Sequence, residues 1–315
     1  MRGSDVNFSL ILPIRNGQVF IEGMIKTVSE IMRAGDELII IDDGSTDSTV
    51  RLLKPWVKKN PQVRLIVNPN PGLANALNLG VKEAAYELIA RVDVDDSYSP
   101  DRLNLQQNYF KENCVAVFSD YSVHSHNGRK VGYIPSGMGP ISTAFSLISS
   151  SRTPHPSAAF KKSAFNEVGG YRQNDFPCED LSLWLRLAKI GDLLSVPEPL
   201  LKYRLSPGGV TATKKNLMRN RRNDLISGIG LSDKVMDSGF DSWKSEIKSL
   251  DSFCYSKTRE ILLVRELRIA SRMGIEFKDS EKITRYLVSK IATSLSTVPI
   301  VGRLGIEKLY RKFYW

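Results

Sequence analysis

The sequence predicts an α/β fold with a mainly parallel central sheet flanked by helices, followed by a basic, mainly helical C-terminal region. Three observations carry this reading. Four short apolar runs begin at residues 8, 37, 63 and 87, a spacing of 24 to 29 residues that suits successive βα units. Between them, apolar residues repeat at three and four rather than at two. The runs themselves lack polar alternation, as expected of strands covered on both faces.

Taken in order, "FSLILP" from Phe8 is the first strand, and Val19 to Ile31 reads as the helix that follows. "ELIIID" from Glu37 is the second strand, leading through "DDGSTDSTV" into a helix that Pro55 should end or kink. "VRLIV" from Val63, a helix over Leu73 to Ala85, and "ELIARVD" from Glu87 complete the repeat. Ser99 is then placed as N-cap and Pro100 as first residue of a further helix, ahead of a strand at "CVAVFS" from Cys114. Residues 124 to 157 are rich in Ser, Gly and Pro, a composition of loops and antiparallel edges over a site. The chain turns charged and helical from about Leu217. A boundary near 208 to 216, at "GGVTATKKN", gives a body over 1–212 and a basic region over 213–315.

The net charge of +10 is concentrated in that second region, where residues 214 to 315 hold 21 Lys and Arg against 12 Asp and Glu. A nearly neutral body with a basic extension suggests contact with membrane phosphates, nucleic acid or another polyanion. The tail "IVGRLGIEKLYRKFYW", residues 300 to 315, mixes cations and aromatics and is suited to lying in an anionic headgroup layer. Cys114, Cys178 and Cys254 are odd in number and widely spaced, which supports neither a disulfide framework nor a zinc site. The apolar run Phe8 to Ile14 is too short for a signal peptide or a span, so a cytosolic location is expected.

Three acidic motifs bear on chemistry. In "IIIDDGSTDSTV" a strand ends in Asp42 and Asp43 and turns on Gly44, where open α/β sheets place their ligand crevice. Simple helix capping by Asp43, Ser45 and Thr46 is the competing reading. "ARVDVDDSYSP" sets Asp93 and Asp95 on one side of an extended chain with Asp96 beside them, where they repel unless a cation lies between. A hard divalent ion shared with a diphosphate would relieve that repulsion, and a capped or solvated turn is the alternative. An EF-hand is disfavoured because Tyr98 stands where its loop needs Gly. In "PCEDLSLWLRLAKIG", Glu179 and Asp180 open an amphipathic helix whose Leu181, Trp184, Leu185 and Ala188 share a face. The acids complement the helix dipole, which should lower a carboxylate's pKa.

The ordered set "LILPIRNG", "IIIDDGSTD", "NPGLANALNLG", "ARVDVDDSYSPDRL", "HPSAAFKKSAFNEVGGY", "EDLSLWLRLAKIG" and "YRLSPGGVT" resembles the inverting glycosyltransferases of family 2, of the bacterial polysaccharide and O-antigen type. The resemblance runs over about residues 7 to 212. It implies a GT-A fold, a nucleoside diphosphate sugar donor, and a glycan or lipid-linked oligosaccharide acceptor. It further implies a divalent metal cofactor, Mn²⁺ or Mg²⁺, held by Asp93, Asp95 and Asp96. Nucleotide contact is implied for Pro13, Arg15, Asn16, Asp42, Asp43, Gly72, Asn78, Arg91 and Asp93. Asp180 is similar to the family's general base, with Glu179 as its accessory. His155, Gly170, Tyr171 and Trp184 fall on the acceptor side. Arg15 stands where the first motif commonly has an aromatic residue, and Arg204-Leu205-Ser206 where many members carry His.

The implied reaction is transfer of a hexosyl unit from UDP-hexose or UDP-N-acetylhexosamine with inversion, at the cytoplasmic face of the inner membrane. It implies peripheral contact with anionic membrane and no nucleic-acid partner, and leaves a homo-oligomer open. An inactive GT-A scaffold binding membrane or polyanion is the non-enzymatic alternative. Glycoside hydrolysis would leave the D-x-D and "DDGSTD" without a role. A dinucleotide oxidoreductase would need a G-x-G-x-x-G that "LPIRNG" does not supply.

Overall fold

In the computed structural model, the described residues are 6–111, 113–136, 139–149 and 153–229, with 237, 239–248, 279, 282, 283 and 286 beyond them. The tail at 300–315 lies outside the described residues. The chain divides into two compact units, Met1–Val235 and Met236–Trp315.

The first unit is built on a nine-stranded mixed sheet. β1 (Phe8–Ile14), β2 (Glu37–Asp42), β3 (Val63–Val67) and β4 (Leu88–Arg91) are the four runs expected from the sequence, paired in parallel in the order β3-β2-β1-β4. Every residue of β1 is buried, because helices cover both faces and leave no side for a polar residue. α1 (Ile21–Ile31), α2 (Thr49–Lys59) and α3 (Leu73–Glu83) fill the crossovers. The order reverses at β1, which has β2 on one side and β4 on the other, and such a switch opens a crevice at the carboxyl ends of the strands.

Beyond β4 the sheet turns antiparallel. β4 pairs with β8 (Ala159–Lys161), and β8 pairs with β6 (Cys114–His124). β6 runs parallel to β9 (Asp192–Arg204) and antiparallel to β7 (Lys130–Ile134), while the short β5 (Ser97–Tyr98) closes on β9. α4 (Arg102–Gln107), α5 (Pro140–Ser149), α6 (Lys162–Glu167), α7 (Glu179–Ile190), α8 (Val210–Thr213) and α9 (Lys215–Ile229) complete this unit. In the second unit the described residues include α10 (Phe240–Lys248), around a buried Trp243.

Several sequence expectations are corrected. α2 runs through Pro55 to Lys59; Pro55 is exposed, so water can satisfy the Arg51 carbonyl that loses its helical partner. α4 opens at Arg102 rather than Pro100: Ser99 accepts the Arg102 N–H at 3.0 Å while its own N–H bonds to Leu200 of β9, also at 3.0 Å. The expected loop region contains the ten-residue helix α5, which buries Ile141, Ala144, Phe145 and Leu147. α7 is not amphipathic. Leu181 through Ala188 are all buried, since α5, α6, α9, β6 and β9 surround the helix. α9 lies within the first unit, although charge and composition group it with the C-terminal region.

Candidate active site

Three groups of side chains meet around the switch point. The first closes the ends of β1 and β2. Asp43 donates its N–H to Ile14 O at 2.8 Å, and its Oδ1 accepts Asn68 Nδ2 at 2.7 Å and Gly72 N at 2.8 Å. Asp42 accepts the Ser45 N–H at 3.3 Å on both oxygens. Asn16, at φ +52°, accepts Thr46 N at 2.8 Å and donates its own N–H to Ser45 Oγ at 2.9 Å. Capping of α2 falls to Asp47, which accepts Thr49 N at 2.9 Å. The competing reading of Asp43, Ser45 and Thr46 as helix caps is therefore corrected: these residues build the turn over the crevice. Arg15 is exposed at the end of β1, whereas Pro13 is buried within the strand. Pro13 is there paired with Ile41 of β2.

The second group follows β4. Arg91 is buried and pairs with Asp93 at 2.6 Å through Nη2, while Nη1 turns to Ile11 O and Val92 O and the buried Nε has no partner. That geometry lets Arg91 fix the Asp93 carboxylate. The Asp93 N–H donates to the phenol oxygen of Tyr98 at 2.7 Å. Asp95 Oδ2 accepts Ser206 Oγ at 2.5 Å, and Asp96 Oδ1 accepts Arg204 N at 2.8 Å, tying the acidic turn to the end of β9. Burial raises the Asp95 carboxyl above its ordinary range, opposed by the Ser206 bond and reinforced by Asp93. Asp96 is pushed well up by burial and then by Asp93, and its Oδ2 has no partner. Three mutually repelling carboxylates with an orphaned oxygen fit a divalent cation. Among the described residues no cluster of three or more acids, His or Cys forms a ready cage.

Behind this turn lies a lattice the sequence does not reveal. Arg102 is completely buried, donates to Arg91 O at 2.9 Å and Ala158 O at 3.1 Å, and sits 4.5 Å from the Tyr98 ring. Gln106 accepts from Arg102 Nε at 3.0 Å and donates to Ser157 O at 2.8 Å. Ser206 was equally hidden, because a lone Ser in "YRLSPGG" carries no signal of contact with Asp95.

The third group is the start of α7. Glu179 is buried with Oε2 unpartnered; Asp180 is half-buried and accepts the Leu181 N–H at 2.7 Å. Burial raises Glu179 to about 8, helped by the neighbouring Asp180 charge. Asp180 rises to about 6, again chiefly through burial, against the Leu181 N–H and Arg91. The expectation that the helix dipole would lower these acids is corrected, because desolvation outweighs it. Arg91 and Asp93 act on both acids, which places the second and third groups around one space.

The remaining acceptor-side residues frame this space. His155 Nε2 lies 2.8 Å from the Tyr171 hydroxyl, and burial together with Arg91 holds its pKa well below the usual value, so the ring is neutral. Trp184 is 1% exposed, packed edge-on to Phe118 at 5.1 Å and to His155 at 5.9 Å. In this packing it supports the His155 ring. Gly170, at φ +63°, would drive a Cβ to 2.8 Å from Asn78 Oδ1, and its carbonyl accepts Arg186 Nη2 at 2.6 Å. Asn78 bonds the Tyr171 backbone through both amide atoms, each at 2.9 Å, and so braces the 170–171 turn. Gly72, at φ +133°, precedes α3 in a backbone conformation that favours glycine, with the Gln173 amide against it.

A mixed α/β sheet with a switch-point crevice, an acidic turn after the fourth strand and paired acids opening a buried helix defines a GT-A sugar-transferase architecture. The family model described as glycosyl transferase family 2 matches residues 9–169, and the chain belongs to that family. It is 29% identical over 215 residues to an uncharacterized glycosyltransferase of Rickettsia conorii, covering 68% of this chain and 35% of that protein. The chain thus spans about a third of the length of that relative. The amylovoran biosynthesis glycosyltransferase AmsE of Erwinia amylovora is 25% identical, over 62% of this chain and 76% of AmsE. A UDP-Gal:alpha-D-GlcNAc-diphosphoundecaprenol beta-1,3-galactosyltransferase of Escherichia coli is 28% identical, over 57% and 66%. In fold, the chain matches a mannosyltransferase of Pyrobaculum calidifontis in complex with GDP-Man and Mn²⁺, at TM-score 0.59, 17% identity and coverage of 93% and 81%. It also matches S. aureus TarS 1-349 in complex with UDP-GlcNAc, at TM-score 0.56, 14% identity and coverage of 91% and 92%. Among the described residues, no helix is long and apolar enough to cross a membrane.

Proposed function

We propose that the chain transfers a sugar from UDP-hexose or UDP-N-acetylhexosamine to a hydroxyl of a lipid-linked, diphosphate-bearing glycan, with inversion, during cell-surface polysaccharide synthesis at the cytoplasmic membrane face. The observation that carries this reading is the pairing, around one space, of the Arg91–Asp93 ion pair with the half-buried Asp180 carboxyl raised to about 6. A carboxyl in that range is ionised near neutral pH yet basic enough to take a proton. Glu179, raised to about 8, holds its own proton there, so the pair carries one negative charge and not two.

Asp180 accepts the proton of the acceptor hydroxyl as that oxygen attacks the anomeric carbon. The bond from that carbon to the diphosphate oxygen breaks on the opposite face, and its electron pair leaves with the nucleoside diphosphate. Asp93 and Asp95 would hold a divalent cation, Mn²⁺ or Mg²⁺, whose charge stabilises the departing diphosphate. The turn at Asp42, Asp43 and Asn16 borders the crevice where the base and ribose would lie, with exposed Arg15 free to stack or meet a phosphate. The Escherichia coli relative, whose name pairs a UDP sugar with a diphosphoundecaprenol acceptor, supports these substrate classes. The complexes of similar fold with GDP-Man and Mn²⁺ and with UDP-GlcNAc support donor and metal.

The test is a screen of nucleotide sugars for release of nucleoside diphosphate by the full chain, with and without Mn²⁺. Metal-dependent release from a UDP sugar is expected. Absence of release from every nucleotide sugar, with UDP failing to bind, would favour the inactive scaffold.

A further inference from the structure

The stretch between Glu198 and Asp224 contains seven Lys and Arg and no acid. It begins on β9, whose end bonds Asp95 through Ser206 and Asp96 through the Arg204 N–H, and it finishes on α9 beside α7. One uninterrupted basic segment therefore touches both halves of the site. Part of its charge is spent structurally: Arg221 pairs with Asp175 at 2.9 Å. The Cys178 thiol donates to Met218 O at 3.4 Å, which pins α9 to the residue directly before Glu179.

Lys215, Arg219 and Arg222 follow at i, i+4 and i+7, so they share one face of α9 over about 10 Å of helix. Lys215 and Arg219 are exposed, with Arg219 leaning on Asn216 at 3.3 Å. Arg222 is half-buried near the Cys178 thiol, and burial lowers its pKa. Three cations in a row that ends at the helix carrying the candidate base form an anion track leading to that base. A sugar attached to a phosphate keeps its hydroxyls close to that phosphate, so a phosphate held on α9, which packs on α7, keeps the sugar on the α7 side of the site.

We propose that Lys215, Arg219 and Arg222 bind the phosphate or diphosphate of the acceptor and so set the attached sugar over Asp180. The inference rests on the glycosyltransfer reading and adds a substrate-recognition site to it.

The experiment measures binding of geranyl diphosphate to the full chain with the donor site saturated by UDP and Mn²⁺. Geraniol serves as the uncharged control, and phosphatidylglycerol vesicles serve as the alternative source of phosphate. Wild type is expected to bind geranyl diphosphate and not geraniol. The Lys215→Gln/Arg219→Gln variant, altered only at exposed positions, should bind it at least about tenfold more weakly with unchanged affinity for UDP. The proposal is overturned if wild type binds UDP but not geranyl diphosphate, or if the variant binds geranyl diphosphate as wild type does. It is also overturned if the variant loses only vesicle binding, since the track would then serve lipid headgroups. Failure of wild type to bind UDP at all would instead sink the donor reading, and this inference with it.

Discussion

The acids of the donor side and those opening α7 are buried to similar degrees but are treated differently. After β4 and β2, Asp93 has Arg91, Asp95 has Ser206, and Asp43 has Asn68 and Gly72, whereas Asp96 has only the Arg204 N–H on one oxygen and, like the α7 acids, is raised chiefly by burial. At α7, Asp180 has a single backbone donor and one Glu179 oxygen has none. Fixed partners hold oxygens where a cation and a nucleotide need them. Sparse partners leave burial to set the pKa, and a raised pKa suits a group that takes a proton. The proposed function assigns donor binding to the first set and proton transfer to the second, the binding half and the proton-transfer half of the site.

The largest effect expected on the binding half comes from its foundation. Arg102→Leu removes the donors to Arg91 O and Ala158 O beneath the acidic turn and should cost about 2–3 kcal/mol in urea unfolding. A near-neutral result would mean that the turn does not depend on this lattice. Next, Asp95→Asn deletes a charged oxygen with little change in volume. It should weaken Mn²⁺-enhanced UDP binding by about ten- to a hundredfold, measured calorimetrically with and without metal. Unchanged metal enhancement would place the cation elsewhere.

The proton-transfer half makes a pH prediction. The folded pKa values of Asp180 and Glu179 are raised, so the folded state holds more protons than the unfolded chain. Their favourable contribution is complete below about pH 4, and is lost as pH rises through about 6 for Asp180 and about 8 for Glu179. Glu179→Gln should therefore flatten the decline in stability between pH 6 and pH 8.5 by on the order of 1–2 kcal/mol. Because Glu179 is already protonated when Asp180 titrates, the rise of transfer rate through about pH 6 should persist in that variant. Thermal unfolding and rate profiles across that range check both points. The smallest effect is Ser206→Ala, which frees one Asp95 oxygen and should change metal-dependent UDP affinity by less than about tenfold.

Strands β1, β2 and β4 were legible because burial on both faces favours apolar runs, and β3, at the end of the sheet and partly exposed, was legible from its β-branched and aliphatic residues. β9 was not, since Pro197 and Pro199 interrupt its apolar pattern where the register with β6 slips. α5 was hidden by its serines, although Ile141, Ala144 and Phe145 keep helical spacing. In the site, the acids announced themselves by charge at strand and helix ends. What the sequence could not separate was contact from support. Asn78, Gly170 and Trp184 sit within recognisable motifs, yet they brace the turn and the His155 ring. Tyr98, Arg102 and Ser206 act through partners distant in sequence, as with Ser206 and Asp95, 111 residues apart.

The division of labour is tested most directly by Asp180→Asn, measured for UDP affinity in Mn²⁺ and for sugar transfer on the same preparation. UDP affinity should stay at the wild-type value while transfer falls by about 10² or more. Transfer near the wild-type rate, or a parallel loss of UDP affinity and transfer, would contradict the assignment of proton transfer to α7 and of donor binding to the acids that follow β4.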